Sequence, residues 1–434
     1  ERFDPDGLMA FYKKVGARYF MALANHHCNY DSWDSKYQPW NSVNVGPKKD
    51  IVGLWKKAAD RYGLRFGVSV HNTNTWGWYD PARGSDTQGP KAGVPYDGLL
   101  TKEDGRGKWW EGLDPRDLYG PPHAPGPEGD PPTPEFLENW FLRVKDLLDK
   151  YRPDLLYFDT CTPATQWRQT FVQFEDITYG GYIADHRVGM LIATHFYNAN
   201  IAWHGGRLEA VLNLKEVPPY RLPGIVHTVE RGSMPDIQPY PWQNDTSIGD
   251  WFYREDDVYR SPGELVQALV DVVSKNGNLM LNVTQKPDGT IAGDQVETLE
   301  AIGAWLAVNG EAIYESRPWE RFGEGPTNVK GGRFDEVNSG PPTYTPRDFR
   351  FTQRGGFLYA MAMAWPDDRK LTITSLGARP LEGGNAISRV ELLGFKGNLE
   401  WRQDEAGLHL TLPAEKPCEF VWTFKITGEN LRAV

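Results

Sequence analysis

The chain has 434 residues, 40% of them hydrophobic and 24% charged, the proportions of a globular protein with room for a large core. A formal net charge of −11, with no Lys/Arg cluster interleaved with aromatics, excludes nucleic acid as an expected partner, because neutralising phosphates needs a basic face. No run approaches the roughly 18 consecutive apolar residues of a membrane span, so a neutral substrate met in water fits best.

Cys28, Cys161 and Cys418 are too few and too scattered for a disulfide framework or a Cys-x-x-Cys metal site. The sequence starts at Glu1 with no basic-then-apolar leader, and any targeting segment is expected to have been removed or to lie outside it. The 17 Trp and 20 Tyr are more informative. Flat rings stack on the apolar faces of sugars while their N–H or O–H groups reach hydroxyls, although the same rings also serve as core residues.

From residue 1 to about 310, helical and extended patterns alternate, as β/α units around a parallel sheet do. A helix over Leu8–Val15 precedes a strand over Arg18–His27. Asp50–Gly63 places Ile51, Leu54, Trp55, Ala58, Ala59 and Tyr62 at helical spacing between an Asp N-cap and a Gly stop. A buried strand over Leu64–Asn72 follows. Thr133-Pro134 opens a helix through Leu137, Trp140, Phe141, Val144, Leu147, Leu148 and Tyr151, which leads into the strand Leu155–Thr160. Further strands are expected over Leu208–Lys215, Gly224–Glu230, Ser247–Tyr253 and Asn278–Val283, and a helix opened by Ser261-Pro262 ends at Asn276-Gly277. These make seven strands. A (β/α)8-type TIM barrel needs one more, whose natural place is before Glu1, outside this chain.

Residues 80–134, rich in Gly and Pro, occupy a position where such a barrel places its active-site loops, and are expected to form a lid carrying Trp109 and Trp110. From about residue 340 short alternating runs at Phe357–Ala364, Val390–Leu393, Leu408–Leu412 and Glu419–Ile426 indicate a C-terminal antiparallel β-sandwich. The expected domains are therefore 1–335, a catalytic barrel, and 340–434, a sandwich.

Pro153–Pro163 (PDLLYFDTCTP) ends a buried strand with a carboxylate, Asp159, where barrel enzymes keep catalytic groups. A carboxylate that caps the next helix would occupy the same place. Lys14–Ser42 (KVGARYFMALANHHCNYDSWDSKYQPWNS), with His26-His27, Trp33 and Ser35-Lys36, together with Lys275–Gly289 (KNGNLMLNVTQKPDG) and Ala304–Trp319 (AWLAVNGEAIYESRPW), resembles glycoside hydrolase family 29, the α-L-fucosidases. The resemblance spans most of the chain.

That resemblance implies a retaining glycosidase, in which two carboxyl groups about 5 Å apart attack the anomeric carbon and protonate the leaving oxygen. Asp159 matches the family nucleophile, and Glu230, in His227–Gly232 (HTVERG), matches a segment where some members carry the acid/base; an ion pair with a neighbouring base is its alternative role. Asp245 and Glu255 are lesser candidates. His26 and His27 would bind sugar hydroxyls, His71 would point to the same rim, and Trp33 belongs to the same substrate-binding motif. Tyr157, two residues before Asp159, shares its face of the strand. Lys215 would keep Asp159 ionised, and Trp251 would pack on the C6 methyl of fucose. No metal or other cofactor is implied; the partner is an oligosaccharide or polysaccharide, and a secreted or periplasmic setting follows from that function.

The sequence also departs from the family. Asn25 stands where Lys is common before the histidines, Cys28-Asn29 follows them in place of Asp-Gly, and Trp242 is followed by Gln243 where other members have Glu. A neutral amide cannot act as the acid. An α-L-galactosidase, whose sugar differs only by a C6 hydroxyl that an apolar pocket rejects weakly, a catalytically silent carbohydrate-binding protein and a barrel hydrolase of D-sugars are the competing readings.

Overall fold

The computed structural model describes residues 2–120, 123, 132–159, 169–174, 177–182, 187–215, 224–327, 329–378 and 385–431. Cys161 and the rest of the segment following Asp159 lie outside these residues, as does part of the 80–134 stretch.

Strands β1 (Tyr19–Asn25), β2 (Arg65–Val70) and β3 (Leu155–Phe158) are followed by a hairpin, β4 (Gln169–Phe174) and β5 (Ile177–Tyr182), and then by β6 (Val211–Leu214), β7 (Val226–Glu230), β8 (Trp242–Ser247) and β9 (Gly277–Asn282). Among the described residues they form a seven-stranded sheet in the order β1-β2-β3-β6-β7-β8-β9, with β4-β5 apart. The neighbours β1–β2, β2–β3, β3–β6, β6–β7 and β8–β9 pair in parallel. Helices Ile51–Tyr62, Pro134–Tyr151, Arg187–Trp203 and Pro262–Ser274 intervene between sheet strands, giving the barrel-type β/α alternation. The chain divides into two compact units within β7, Pro5–Lys13 with Ala17–His227 and Glu1–Asp4, Lys14–Gly16 with Thr228–Val434.

In the first unit, local chemistry fixes the helix ends. Asp50 accepts from the Gly53 N–H at 2.9 Å, and Gly63 ends that helix at φ 65°, a conformation only glycine adopts freely. Thr133 caps Pro134–Tyr151, whose buried stripe is Leu137, Trp140, Val144, Leu147 and Leu148. The ladder pairs Val70 with Phe158 and Phe158 with Leu214. This register makes His71, Asp159 and Lys215, the next residue on each strand, neighbours. The β4-β5 hairpin falls outside the expected β/α alternation, despite the β-branched and aromatic run on either side of Glu175-Asp176.

In the second unit the strand expected over Ser247–Tyr253 lies instead at Trp242–Ser247. Its buried run, Trp-Gln-Asn-Asp-Thr-Ser, is almost wholly polar, and that polarity hides it from a hydrophobicity pattern. The Lys275-Asn276-Gly277 turn is structural. Lys275 donates from Nζ to Asp271 Oδ2 at 2.7 Å, Arg350 donates from Nε to Asp271 Oδ1 at 2.7 Å, and a Cβ on Gly277 would fall 2.6 Å from Val272 and 2.7 Å from Trp242.

Strands β10 (Arg317–Glu324), β11 (Phe349–Arg354) and β12 (Phe357–Ala362) precede β13 (Lys370–Ile373), β14 (Ala386–Leu392), β15 (Glu400–Asp404), β16 (Gly407–Thr411) and β17 (Trp422–Glu429). Among the described residues they form a five-stranded sheet, β10-β11-β12-β17-β14, and a three-stranded one, β13-β16-β15. One core, including Phe349, Phe351 and Phe424 from the first sheet and Leu371, Ile373 and Leu410 from the second, joins them as a sandwich.

Asp271 balances two buried cations, so Asp271→Asn should destabilise the protein by roughly 3–5 kcal/mol. The chemical-denaturation midpoint measures this; a shift worth less than about 1 kcal/mol would show that the three charges are solvated in solution.

Candidate active site

The rim of the first unit is built by residues that follow β1, β2, β3 and β6. The Asp159 N–H continues the ladder by donating to Val70 O at 3.2 Å. Its carboxylate, 16% exposed, accepts from Lys215 Nζ at 2.6 Å and from the Tyr157 hydroxyl at 3.2 Å, both on Oδ1. The other oxygen, Oδ2, faces His71 Nδ1 at 3.2 Å and His27 Nε2 at 3.5 Å. Burial alone would raise the Asp159 pKa, but hydrogen bonds from His27 and His71 and the charges of His71 and Lys215 outweigh it and hold the carboxyl far below the usual range.

The imidazoles of His26 and His27 lie 4.6 Å apart and those of His26 and His71 4.8 Å apart, centre to centre. Burial, then His71 and His27 beside it, lower His26 to about 4, against the pull of Asp159. His71 is held from both ends: its Nε2 meets Ser69 Oγ, and its backbone N–H donates to Asn25 Oδ1 at 2.9 Å. His227 Nε2 lies 3.0 Å from the Lys215 carbonyl. A carbonyl only accepts, so Nε2 carries the proton; burial lowers this group to about 4 despite that bond.

Ring nitrogens of His26, His27 and His71 lie within 4.8 Å of one another, a spacing a transition-metal ion could use. Asp154, His204 and Glu209 form a second such group. There Arg65 already engages both carboxylates, at 3.0 Å and 2.7 Å, and Asp154 lies at the start of β3, away from the functional strand ends.

Behind the rim, Arg143 pairs with Asp31 through both oxygens and donates to Asn29 Oδ1 at 2.6 Å. Asn25 Nδ2 donates to Asp31 Oδ1 at 3.2 Å. Burial pushes the Asp31 carboxyl up, and pairing with Arg143 opposes it. The network fixes the turn that carries His26 and His27.

His26, His27, His71, Tyr157, Asp159 and Lys215 thus come together as the sequence suggests. Trp33 does not join them: it has no exposed surface and its indole N–H donates to Asp146 at 3.2 Å, so its ring cannot stack on a sugar. Trp251 and Glu230 belong to the second unit. The Arg231 guanidinium lies 4.6 Å over the Trp251 ring. Glu230 Oε2 accepts from Arg333 Nη2 at 2.9 Å and Nε at 3.3 Å. Gln243 is buried and its amide reaches Thr228 Oγ1 at 3.4 Å; Asp245 is also buried, and Glu255 is exposed.

The sequence reading missed Ser69, His227, Asn25 as an anchor, and Arg143. Ser69 precedes His71 by two positions, a same-face spacing that could have found it. Arg143 gave no signal, because a basic residue on an amphipathic helix is normally solvated.

Two family models match the chain: "Alpha-L-fucosidase" over residues 1–311 and "Alpha-L-fucosidase C-terminal domain" over 343–427. The human tissue alpha-L-fucosidase is 26% identical over 98% of this chain and 75% of its own length, and the Dictyostelium discoideum alpha-L-fucosidase 24% over 98% and 77%. A crystal structure of Thermotoga maritima alpha-fucosidase in complex with fucose superposes with a TM-score of 0.65 at 25% identity, covering 98% of this chain and 79% of that one.

The two depressed histidines have a consequence for stability. As pH falls through about 6.5, the unfolded chain takes up protons that native His26 and His227 accept only near 4, so stability should fall across that window. The Asp159 contribution has the same sign in a more acidic window: it is fully present above the unfolded carboxyl pKa and is lost as pH falls below that value. His227→Gln should remove up to about 3 kcal/mol of the loss between pH 6.5 and 4, read from urea midpoints at both pH values. An unchanged slope would show that His227 titrates normally.

Proposed function

Because the chain belongs to the α-L-fucosidase family of glycoside hydrolases, we propose that it releases terminal α-L-fucose from glycans by double displacement, with Asp159 as nucleophile and Glu230 as acid/base. The observation that supports this most is the state of Asp159: a carboxylate at a strand end, kept ionised by His27, His71 and Lys215, partly open to solvent and faced by two imidazoles with a third beside them.

Lys215 and Tyr157 hold Oδ1, which leaves Oδ2, contacted more loosely by His71 and His27, to attack the anomeric carbon. The glycosyl–enzyme ester then forms as the aglycone oxygen departs with a proton; water, deprotonated by the same acid/base, cleaves the ester and returns Asp159. His26, neutral above about pH 4, His27 and His71 would exchange their mutual contacts for sugar hydroxyls. The rim chemistry suits a neutral sugar. The expected setting is secreted or periplasmic, where fucosylated glycans are met; among the described residues no helix is long and apolar enough to cross a membrane.

The Arg333–Glu230 ion pair favours a second reading of that residue. A carboxyl that delivers a proton must first carry it, and Oε2 is committed to two guanidinium N–H groups. On this reading Glu230 anchors Arg333 and another group handles the leaving oxygen.

Asp159→Ala should lower kcat/KM for aryl α-L-fucosides by on the order of 10⁴-fold or more with the fold retained, and near-normal turnover would remove Asp159 from its role. Aryl α-L-galactoside serves as the competing substrate. Glu230→Ala should cost less than about tenfold with an acidic aryl leaving group but roughly 10²–10⁴-fold with a poor one, azide restoring turnover as the glycosyl azide. A loss independent of the leaving group would establish the anchoring role instead.

A further inference from the structure

The first unit holds a groove of about 330 Å³ lined by Cys28, Tyr30, Trp40, Tyr79, Trp109 and Tyr119, with aliphatic residues between them. The volume lies within the range of about 300–1,000 Å³ typical of small-molecule sites. Among the described residues, none of its lining side chains is charged. We propose that this groove is the binding site for the neutral sugar unit that departs from fucose, a reading that rests on the fucosidase function above.

Continuity with the rim is the first argument. Cys28 directly follows His27, which lies 3.5 Å from Asp159, and Tyr79 follows the short helical turns that begin after His71. Two walls of the groove thus lie on the chain segments that leave the two imidazoles facing Asp159.

The walls are also braced as a built site is. Asn29 Nδ2 donates to Leu118 O at 2.9 Å and Gln38 Nε2 to Asp117 O at 2.9 Å. Trp40 Nε1 donates to Asp114 O at 2.7 Å, Tyr30 OH to Val45 O at 2.8 Å, and Arg83 Nη2 to Tyr119 O at 2.6 Å. With Tyr79 and Tyr119 edge to face at 4.9 Å, the aromatic surfaces are fixed before any ligand arrives.

Trp109 is the third argument. It is 77% exposed, yet its ring is set at 83° to Trp40, 6.2 Å centre to centre. The adjacent Trp110 is packed away with Trp40 and Val45 in a small core. One tryptophan of the pair anchors the segment and the other presents a flat apolar face to the groove. Stacking on a pyranose needs such a face without charge, and specificity here would come from ring shape.

The test compares α-L-fucosyl fluoride, which has no sugar aglycone, with a fucosylated neutral disaccharide. Trp109→Ala should lower kcat/KM for the oligosaccharide roughly 5- to 50-fold, mainly through KM, and leave the fluoride unchanged. Equal losses on both substrates, or no loss on the oligosaccharide, would overturn the groove. Wild type inert on the fluoride would remove the fucosidase reading instead. Binding then decides the groove independently: saturable quenching of tryptophan fluorescence by the unfucosylated disaccharide, lost in Trp109→Ala, supports it, and absence of quenching in wild type refutes it.

Discussion

The chemistry proposed for the protein depends on keeping one carboxylate charged where burial favours the neutral form. Asp159 sits at the end of a strand whose preceding residues, Leu156, Tyr157 and Phe158, are all buried. A compensating cation has to come from a neighbouring strand, and the parallel register supplies it. Val70, Phe158 and Leu214 are ladder partners, so His71, Asp159 and Lys215 emerge together. A one-residue slip of β6 would reverse its faces and put Leu214 where the ammonium belongs. Register and electrostatics are therefore one constraint.

Behind this rim, the Asp31–Arg143 pair is fully buried. A buried ion pair is seldom a net source of stability, because desolvation offsets the attraction. Its effect here is positional. Asp31 also accepts from Asn25, whose other amide atom holds the His71 backbone, while Arg143 ties down Asn29. Asn29 in turn reaches Leu118 on the groove wall. The same turn that aims the histidines thus braces the aromatic groove, so the two surfaces are positioned by shared contacts.

Much of this was legible in the sequence for identifiable reasons. Helices with clean caps and apolar stripes, such as Ile51–Tyr62 and Pro134–Tyr151, are local structures and read as such. Asp159 and His71 stood out because each ends an apolar strand, and the family resemblance supplied the roles of His26, His27 and Lys215. What escaped depends on contacts distant in sequence. β8 is polar and buried, a combination that only its neighbours make tolerable, and the expected strand was displaced toward the aromatic run Trp251–Tyr253. Trp33 was placed with the substrate-binding motif, but aromatics serve cores and binding sites alike, and its complete burial and its bond to Asp146 put it in the core. Arg143 and His227 matter through partners on other elements, which no local spacing reveals.

A lysine beside Asp159 suits the proposed reaction. An arginine would offer a planar fork that grips both carboxylate oxygens at once, holding the charge but blocking attack. Lys215 is a point charge that engages Oδ1, and Tyr157 adds its hydroxyl to the same oxygen. The shortest contact thus falls on the oxygen that does not attack in the proposed reaction. Oδ2 is contacted by imidazoles, groups that can turn to a sugar hydroxyl as substrate enters and leave the oxygen freer when attack is due. A nucleophile stabilised equally on both oxygens would be easier to keep ionised and harder to use; the asymmetric arrangement meets both requirements with residues that the strand register already places side by side.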